Sequence, residues 1–183
     1  RKISRVEYDL ILILSCMLSL HRFKIIDELL KIKFDLGYAN FVGIGPGIEI
    51  NILKNKLTNF QAYDTSVSEF IKKIYPKNII KKKFSGTNKK FNSIFAVELL
   101  EHLNNPYQLI DIFYKSLNKD GIAIVTTAKN IPQFDHLYNF KYKYEFQKEI
   151  NNIGFKIIYQ KTINHISHNK NLKANNIFYI LQK

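Results

Sequence analysis

The sequence predicts an α/β fold built on a doubly wound, mostly parallel sheet, and three observations carry that prediction. From Tyr38 onward, apolar strand-like runs alternate with segments of helical periodicity, the order that produces parallel strands joined by right-handed crossovers. A glycine-rich turn, Gly43-Ile44-Gly45-Pro46-Gly47, drops directly off the end of the first apolar run. The chain then ends on two strands, Phe155 to Thr162 and Asn176 to Leu181, with no helical segment between them. Such a pair is antiparallel, because a parallel return needs a crossover.

From Ser4 to Lys33 apolar residues recur at helical spacing without Gly or Pro, which predicts one long helix or two short ones beside the sheet. Residues 1–36 are therefore read as an N-terminal helical extension and 37–183 as the main domain. The apolar run from Leu10 to Leu20 is about half of the ~20 residues a membrane-spanning helix needs, and no small-residue cleavage site follows it. It is expected to be a buried helix. Tyr38 to Ile44 reads as a buried strand and Ile48 to Leu57 as the helix after the glycine turn. Asn59 to Tyr63 is a second strand and Ser66 to Ile74 a second helix, which Pro76 ends. Asn78 to Phe84 gives a third, short strand. Phe91 to Val97 is almost continuously apolar, as a strand buried on both faces should be. Asn105-Pro106 starts a helix with a capping amide and a first-turn proline, and Leu109, Ile110, Phe113 and Leu117 form its apolar face. Asp120-Gly121 turns the chain into the strand Ile122 to Thr127. A last helix, Tyr142 to Asn152, stops at Gly154, and residues 164–175 form the loop of the final strand pair.

At 183 residues the chain has room for one domain with a sizeable core. Its net charge of +13 would suit nucleic acid, yet the only arginines are Arg1, Arg5 and Arg22, and arginine is the residue that forks onto phosphate or guanine. Lysine richness together with abundant Ile, Asn and Phe reads as an AT-rich coding preference. No nucleic-acid partner and no membrane span are expected, although acidic small molecules would be attracted. Cys16 is the only cysteine, which excludes a disulfide framework and suits an inert buried thiol in a reducing, cytoplasmic setting.

Glycines at a strand-to-helix turn let the backbone approach a ligand closely, and the amides that open the helix face that ligand. Asp64 ends the second strand, at the sheet edge where open α/β sheets bind ligands. An ionised carboxylate there can accept two hydrogen bonds from a vicinal diol, or it can cap the following helix. Val97-Glu98-Leu99-Leu100-Glu101-His102-Leu103 follows the fourth strand, and Leu117-Asn118-Lys119-Asp120-Gly121 precedes the fifth.

In this order these four features resemble the class I S-adenosylmethionine-dependent methyltransferases, over most of the chain from Tyr38. The resemblance implies a Rossmann-like sheet ending in an antiparallel pair. It also implies that Gly43, Gly45 and Gly47 wrap the methionine part of S-adenosyl-L-methionine, and that Asp64 holds its ribose. The segment Glu98 to His102 is similar to the family's E-x-L-E-H element, found in small-molecule methyltransferases, and Asn105-Pro106 follows it as in that family. The family commonly has an acid two residues before the first glycine. This chain has Phe41, so the methionine ammonium falls to backbone carbonyls or to Glu98. The adenine is expected between Thr65 and the loop 84–88, with Gly86 and Thr87 contributing. Nicotinamide binding ranks lower, since Ile48 stands where the dinucleotide fingerprint needs glycine.

The general-base candidates are His102 and His136, because histidine is the side chain that titrates near neutrality. Glu101, Asp135 and Tyr138 are the candidate acceptor contacts, the last two on an aromatic loop after the fifth strand. A structural role for either histidine stays open at this stage. His165 and His168 read as hairpin-loop residues and His21 as a polar helix position, so no metal site is expected. The resemblance extends to short enzymes of bacterial surface-polysaccharide pathways that methylate sugars or the phosphoramidate of capsules. An oxygen-directed, small-molecule activity is therefore the first reading. An RNA or protein methyltransferase and an inactive cofactor-binding subunit are the alternatives.

Overall fold

The computed structural model describes residues 4–131, 133–165 and 174–183. Two helices lead, α1 (Arg5–Leu18) and α2 (Leu20–Leu30). Strand β1 (Gly37–Val42) runs through the glycine turn into α3 (Ile48–Leu53) and a 3-10 turn, Lys54–Lys56. Then come β2 (Leu57–Asp64), α4 (Glu69–Ile74), β3 (Ile79–Lys81) and β4 (Phe91–Ala96). A 3-10 turn, Leu100–His102, precedes α5 (Pro106–Ser116) and β5 (Leu117–Lys129). The chain closes with α6 (Lys143–Ile153), β6 (Lys156–Asn164) and β7 (Asn175–Gln182).

The seven strands form one sheet in the order β3-β2-β1-β4-β5-β7-β6. The first five pair in parallel, and β7 lies antiparallel between β5 and β6. This is the predicted mostly parallel sheet with its antiparallel end. Successive strand residues point to opposite faces, so the sheet separates two cores. Ile94 and Ala96 join Leu109, Phe113, Phe146 and Ile150 of α5 and α6. Ala39, Phe41 and Phe95 join Ile25 and Leu29 of α2 with Ile50, Leu53 and Ile71.

Local chemistry accounts for most element boundaries. Asn105 caps α5, its side chain accepting from the Gln108 amide at 3.2 Å, and Gly154 ends α6 with φ 111°. The second helix starts three residues later than the periodicity predicts, because the Asp64 carboxylate takes the Ser66 amide at 2.8 Å and holds residues 64–66 in a turn. The Asp120-Gly121 turn is absorbed into β5 as an irregularity: Phe91 pairs with Leu117 but Ser93 already with Ile122.

The N-terminal run departs from expectation. It forms two helices, broken where Ser19 is extended, but α1 is not a buried helix. Leu10, Ile11, Leu14, Met17 and Leu18 are exposed, and Cys16 is half-buried, its thiol pushed up by burial. A run free of Gly and Pro specifies helix, whereas burial depends on what lies opposite. Here α2 supplies the core contacts and α1 leans over the end of the sheet. No helix among the described residues is long and apolar enough to cross a membrane.

Candidate active site

A cleft of about 1130 Å³ opens at the carboxyl ends of β1, β2 and β4, where the chain order reverses across the sheet. Its floor is the glycine turn. Gly43 and Gly45 have φ of 71° and 50°, and both line the cleft. Gly47 serves differently. It caps α3 at φ 77°, and a Cβ there would stand 2.5 Å from Ile71 Cδ1, so its smallness packs α3 against α4 and it lies outside the cleft lining. Gly47→Ala is expected to cost about 1–3 kcal/mol through strain and overlap, read as a lower urea midpoint.

Asp64 is built into the turn. Its Oδ2 accepts from the Gly45 amide at 3.0 Å and its Oδ1 from Ser66. A carboxylate offers about four acceptor positions, so two remain for a diol. Thr65 lines the rim. Gly86 and Thr87 do not line the cleft: the Thr87 hydroxyl accepts from the Lys89 amide at 3.3 Å. Lys83, Phe84 and Ser85 take that wall, opposite Leu109 and Ile112, because β3 ends at Lys81 and the chain turns inward earlier than its apolar pattern suggested.

Phe41 is buried and stacked on Phe95, ring centroids 4.6 Å apart, and takes no part in the cleft. Besides Asp64, the acids that do are Glu98 and Glu49. Glu98 sits at φ 53°, a conformation an L-residue holds only when its surroundings impose it. Its amide donates to Thr126 Oγ1 at 2.8 Å, and that hydroxyl donates back to Glu98 Oε1 at 3.0 Å. Asn176 also donates to Oε1. Glu49, in the first turn of α3, is half-buried, and burial, reinforced by the Glu98 charge, pushes its carboxyl up to about 7. The sequence reading passed it over, since an acid in a first helical turn needs no more than the helix dipole to explain it. Arg5 and Arg22, from α1 and α2, complete the lining at this end. Two acids and two arginines suit the ammonium and carboxylate of an amino-acid tail.

A second, smaller cavity of about 90 Å³ adjoins the first and shares Tyr8, Arg22, Glu98 and His102 with it. Four of the chain's five histidines line it: His21, His102, His136 and His165. His102 Nδ1 lies 2.9 Å from the Asp135 carbonyl and His136 Nδ1 2.8 Å from the Ile131 carbonyl. A carbonyl only accepts, so each neutral ring carries its proton on Nδ1 and keeps a lone pair on Nε2. The two rings meet edge to face at 5.1 Å. Glu101 is 1% exposed, its carboxyl held well above the carboxylate range by burial and the Glu98 charge. The Tyr138 amide donates to the Glu101 carbonyl at 3.0 Å, which ties the loop bearing Asp135 and His136 to the turn bearing His102.

His21 was expected as a polar helix position and His165 as a hairpin-loop residue; the two rings stack at 4.0 Å and both line this cavity. Burial, the neighbouring His165 and Arg22 push His21 down to about 4. Asp135 and Glu101 also line the cavity. Tyr138 does not: its ring packs against Tyr107 and Phe140 at 5.7 and 4.7 Å. His168 lies outside the described residues.

The family described as "Methyltransferase domain" matches residues 37–174. No curated protein matches the chain. Among solved structures, N-methyltransferase NodS from Bradyrhizobium japonicum WM9, in complex with S-adenosyl-L-homocysteine, is similar with a TM-score of 0.70 at 14% identity over 90% of this chain and 88% of that one. The cyclopropane synthase MmaA2 from Mycobacterium tuberculosis gives 0.70 at 10% identity, covering 88% and 84%. The [4+2]-cyclase SpnF gives 0.67 at 10% identity, covering 87% and 80%. At these identities the likeness is one of fold.

Proposed function

Because the chain belongs to the class I S-adenosylmethionine-dependent methyltransferases, we propose that it methylates a hydroxyl oxygen of a small polar acceptor. The cofactor supplies an electrophilic methyl group on a sulfonium. The chain's residues fit it: the Gly43 and Gly45 backbone would flank the methionine part, and Asp64 would take the ribose hydroxyls. Glu49 and Glu98 would hold the ammonium that position 41 cannot, and Arg5 and Arg22 the carboxylate.

One observation carries the oxygen-directed reading. The small cavity shares Glu98 and His102 with the large cleft and is lined by two imidazoles whose Nε2 lone pairs are left free by their Nδ1 hydrogen bonds. A hydroxyl must lose a proton as it is methylated, and this cavity offers acceptors for it. Its size suits a compact polar group such as a sugar hydroxyl or a phosphoramidate, and Lys82 and Lys83 on the rim would attract an anionic acceptor. The test is a panel of sugars, sugar phosphates, phenols and amines with isotope-labelled cofactor, the product read by NMR. An O-methyl product is expected. A methyl group found only on nitrogen, or cofactor binding without transfer to any member, would overturn the reading.

Holding an ammonium requires Glu49 to be ionised. Its carboxyl is pushed up to about 7 in the free protein, so it is protonated below that pH and binding there costs a proton's release. Affinity for S-adenosylhomocysteine is therefore expected to rise with pH between about 6 and 8 and then level off. In Glu49→Gln, calorimetry across the same range should show that slope gone.

A further inference from the structure

We propose that Glu101, His102 and His136 form a binding site for one divalent transition-metal ion, of the class of Mn²⁺, Co²⁺ or Zn²⁺. A carboxylate oxygen of Glu101 and one ring nitrogen from each histidine lie within 4.8 Å of one another. Two ligands about 2.1 Å from a common ion stand at most ~4.2 Å apart, so small side-chain rotations close the set. Mixed imidazole and carboxylate donors select borderline divalent ions over Mg²⁺ or Ca²⁺, which prefer oxygen alone.

Two independent observations point to a ligand here. Glu101 is 1% exposed, and its Oε2 is sealed from solvent with no hydrogen-bond partner among the described residues. A buried oxygen left in that state is costly, and a self-sufficient polar network would have satisfied it. The second is the orientation of the rings. Both imidazoles donate through Nδ1 to main-chain carbonyls, the arrangement that holds metal-binding histidines and turns Nε2 outward as the donor. The frame is rigid before any ion arrives, since Glu101 and His102 share one 3-10 turn and the Tyr138 amide pins the His136 loop to it.

Three protein ligands leave coordination positions open, as in catalytic rather than structural sites. On the methyl-transfer reading above, an open position would take the acceptor's hydroxyl oxygen. Such an ion would lower that hydroxyl's pKa so that its proton passes to water, and the oxygen could then take the methyl group as the sulfonium leaves as S-adenosylhomocysteine. His102 and His136 would then act through the ion instead of receiving the proton themselves.

The test uses the full chain, freed of any affinity tag and stripped with chelator, titrated with MnCl₂, CoCl₂ and ZnCl₂ by calorimetry. One ion per chain is expected, with visible absorption bands from Co²⁺ that report nitrogen ligation. Glu101→Gln and His136→Ala should each weaken binding by more than roughly 100-fold, beyond what loss of an outer partner causes. Unchanged affinity for S-adenosylhomocysteine in each variant shows that it has folded. A wild type that takes up no ion, or variants that bind as well as wild type, overturns the site. Ion uptake without any effect on O-methylation would confirm the site and sink its part in the reaction. Ion-free O-methylation at full rate by a chain that binds no metal would sink this proposal and leave the proposed function standing.

Discussion

The double variant His102→Ala, His136→Ala is expected to lose about 10²- to 10⁴-fold in turnover while binding S-adenosylhomocysteine nearly as the wild type does. Both side chains project into the small cavity from backbone that other contacts hold, namely the turn at Leu100–His102 and the loop fastened to Glu101. Their removal should leave the cofactor floor of Gly43, Gly45 and Asp64 in place. The loss should therefore fall on kcat with any true acceptor. Either single variant should lose most of the same factor if the two rings work on one proton or one ion, because groups acting as a unit are not additive. A double variant with wild-type turnover would move the acceptor out of this cavity altogether.

Asp64→Ala is expected to weaken cofactor binding by ~1–3 kcal/mol, roughly 5- to 150-fold in Kd. Two effects add. On the proposed placement the ribose hydroxyls would lose a charged acceptor, and the Gly45 amide loses the partner that holds the turn at 3.0 Å. Asp64→Asn separates them in part: its single amide oxygen can still take one of the Gly45 and Ser66 amides, its NH2 cannot accept from the other, and the charge is gone. It should retain part of the thermal stability that the alanine variant loses, yet bind the cofactor less tightly than wild type. Calorimetry beside a melting curve measures both. Loss of stability with unchanged affinity would make Asp64 a turn residue alone.

The sheet and the cleft along its edge were legible because their signals are local. Alternation of strand and helix, glycines at Gly43 and Gly45, an acid closing β2 and Asn105 before Pro106 each lie within a few neighbouring residues. What escaped the sequence depends on distant segments meeting. His21 and His165 are far apart in the chain and stack because the β6–β7 end of the sheet comes up beside α2. Glu49 looks like an ordinary first-turn acid until Glu98 and Arg22 are found near it. Gly86 and Thr87 were assigned from position in a loop, and the early end of β3 moved the wall to Phe84 and Ser85. Tyr138 has a simpler reason: Tyr107, on α5, offers its ring a better neighbour than the cavity does.

Helix α1 touches the glycine turn directly, with Leu12 Cδ1 3.2 Å from where a Cβ on Gly45 would stand, yet Asp9 is its only buried residue. An element so lightly anchored opens at low free energy, and in doing so it would carry Arg5 and Tyr8 away from the nucleoside's lodging. Occupancy and closure are then thermodynamically linked. If α1 does lift in this way, each ligand molecule that settles would draw it shut, and spent cofactor could leave no faster than the helix opens.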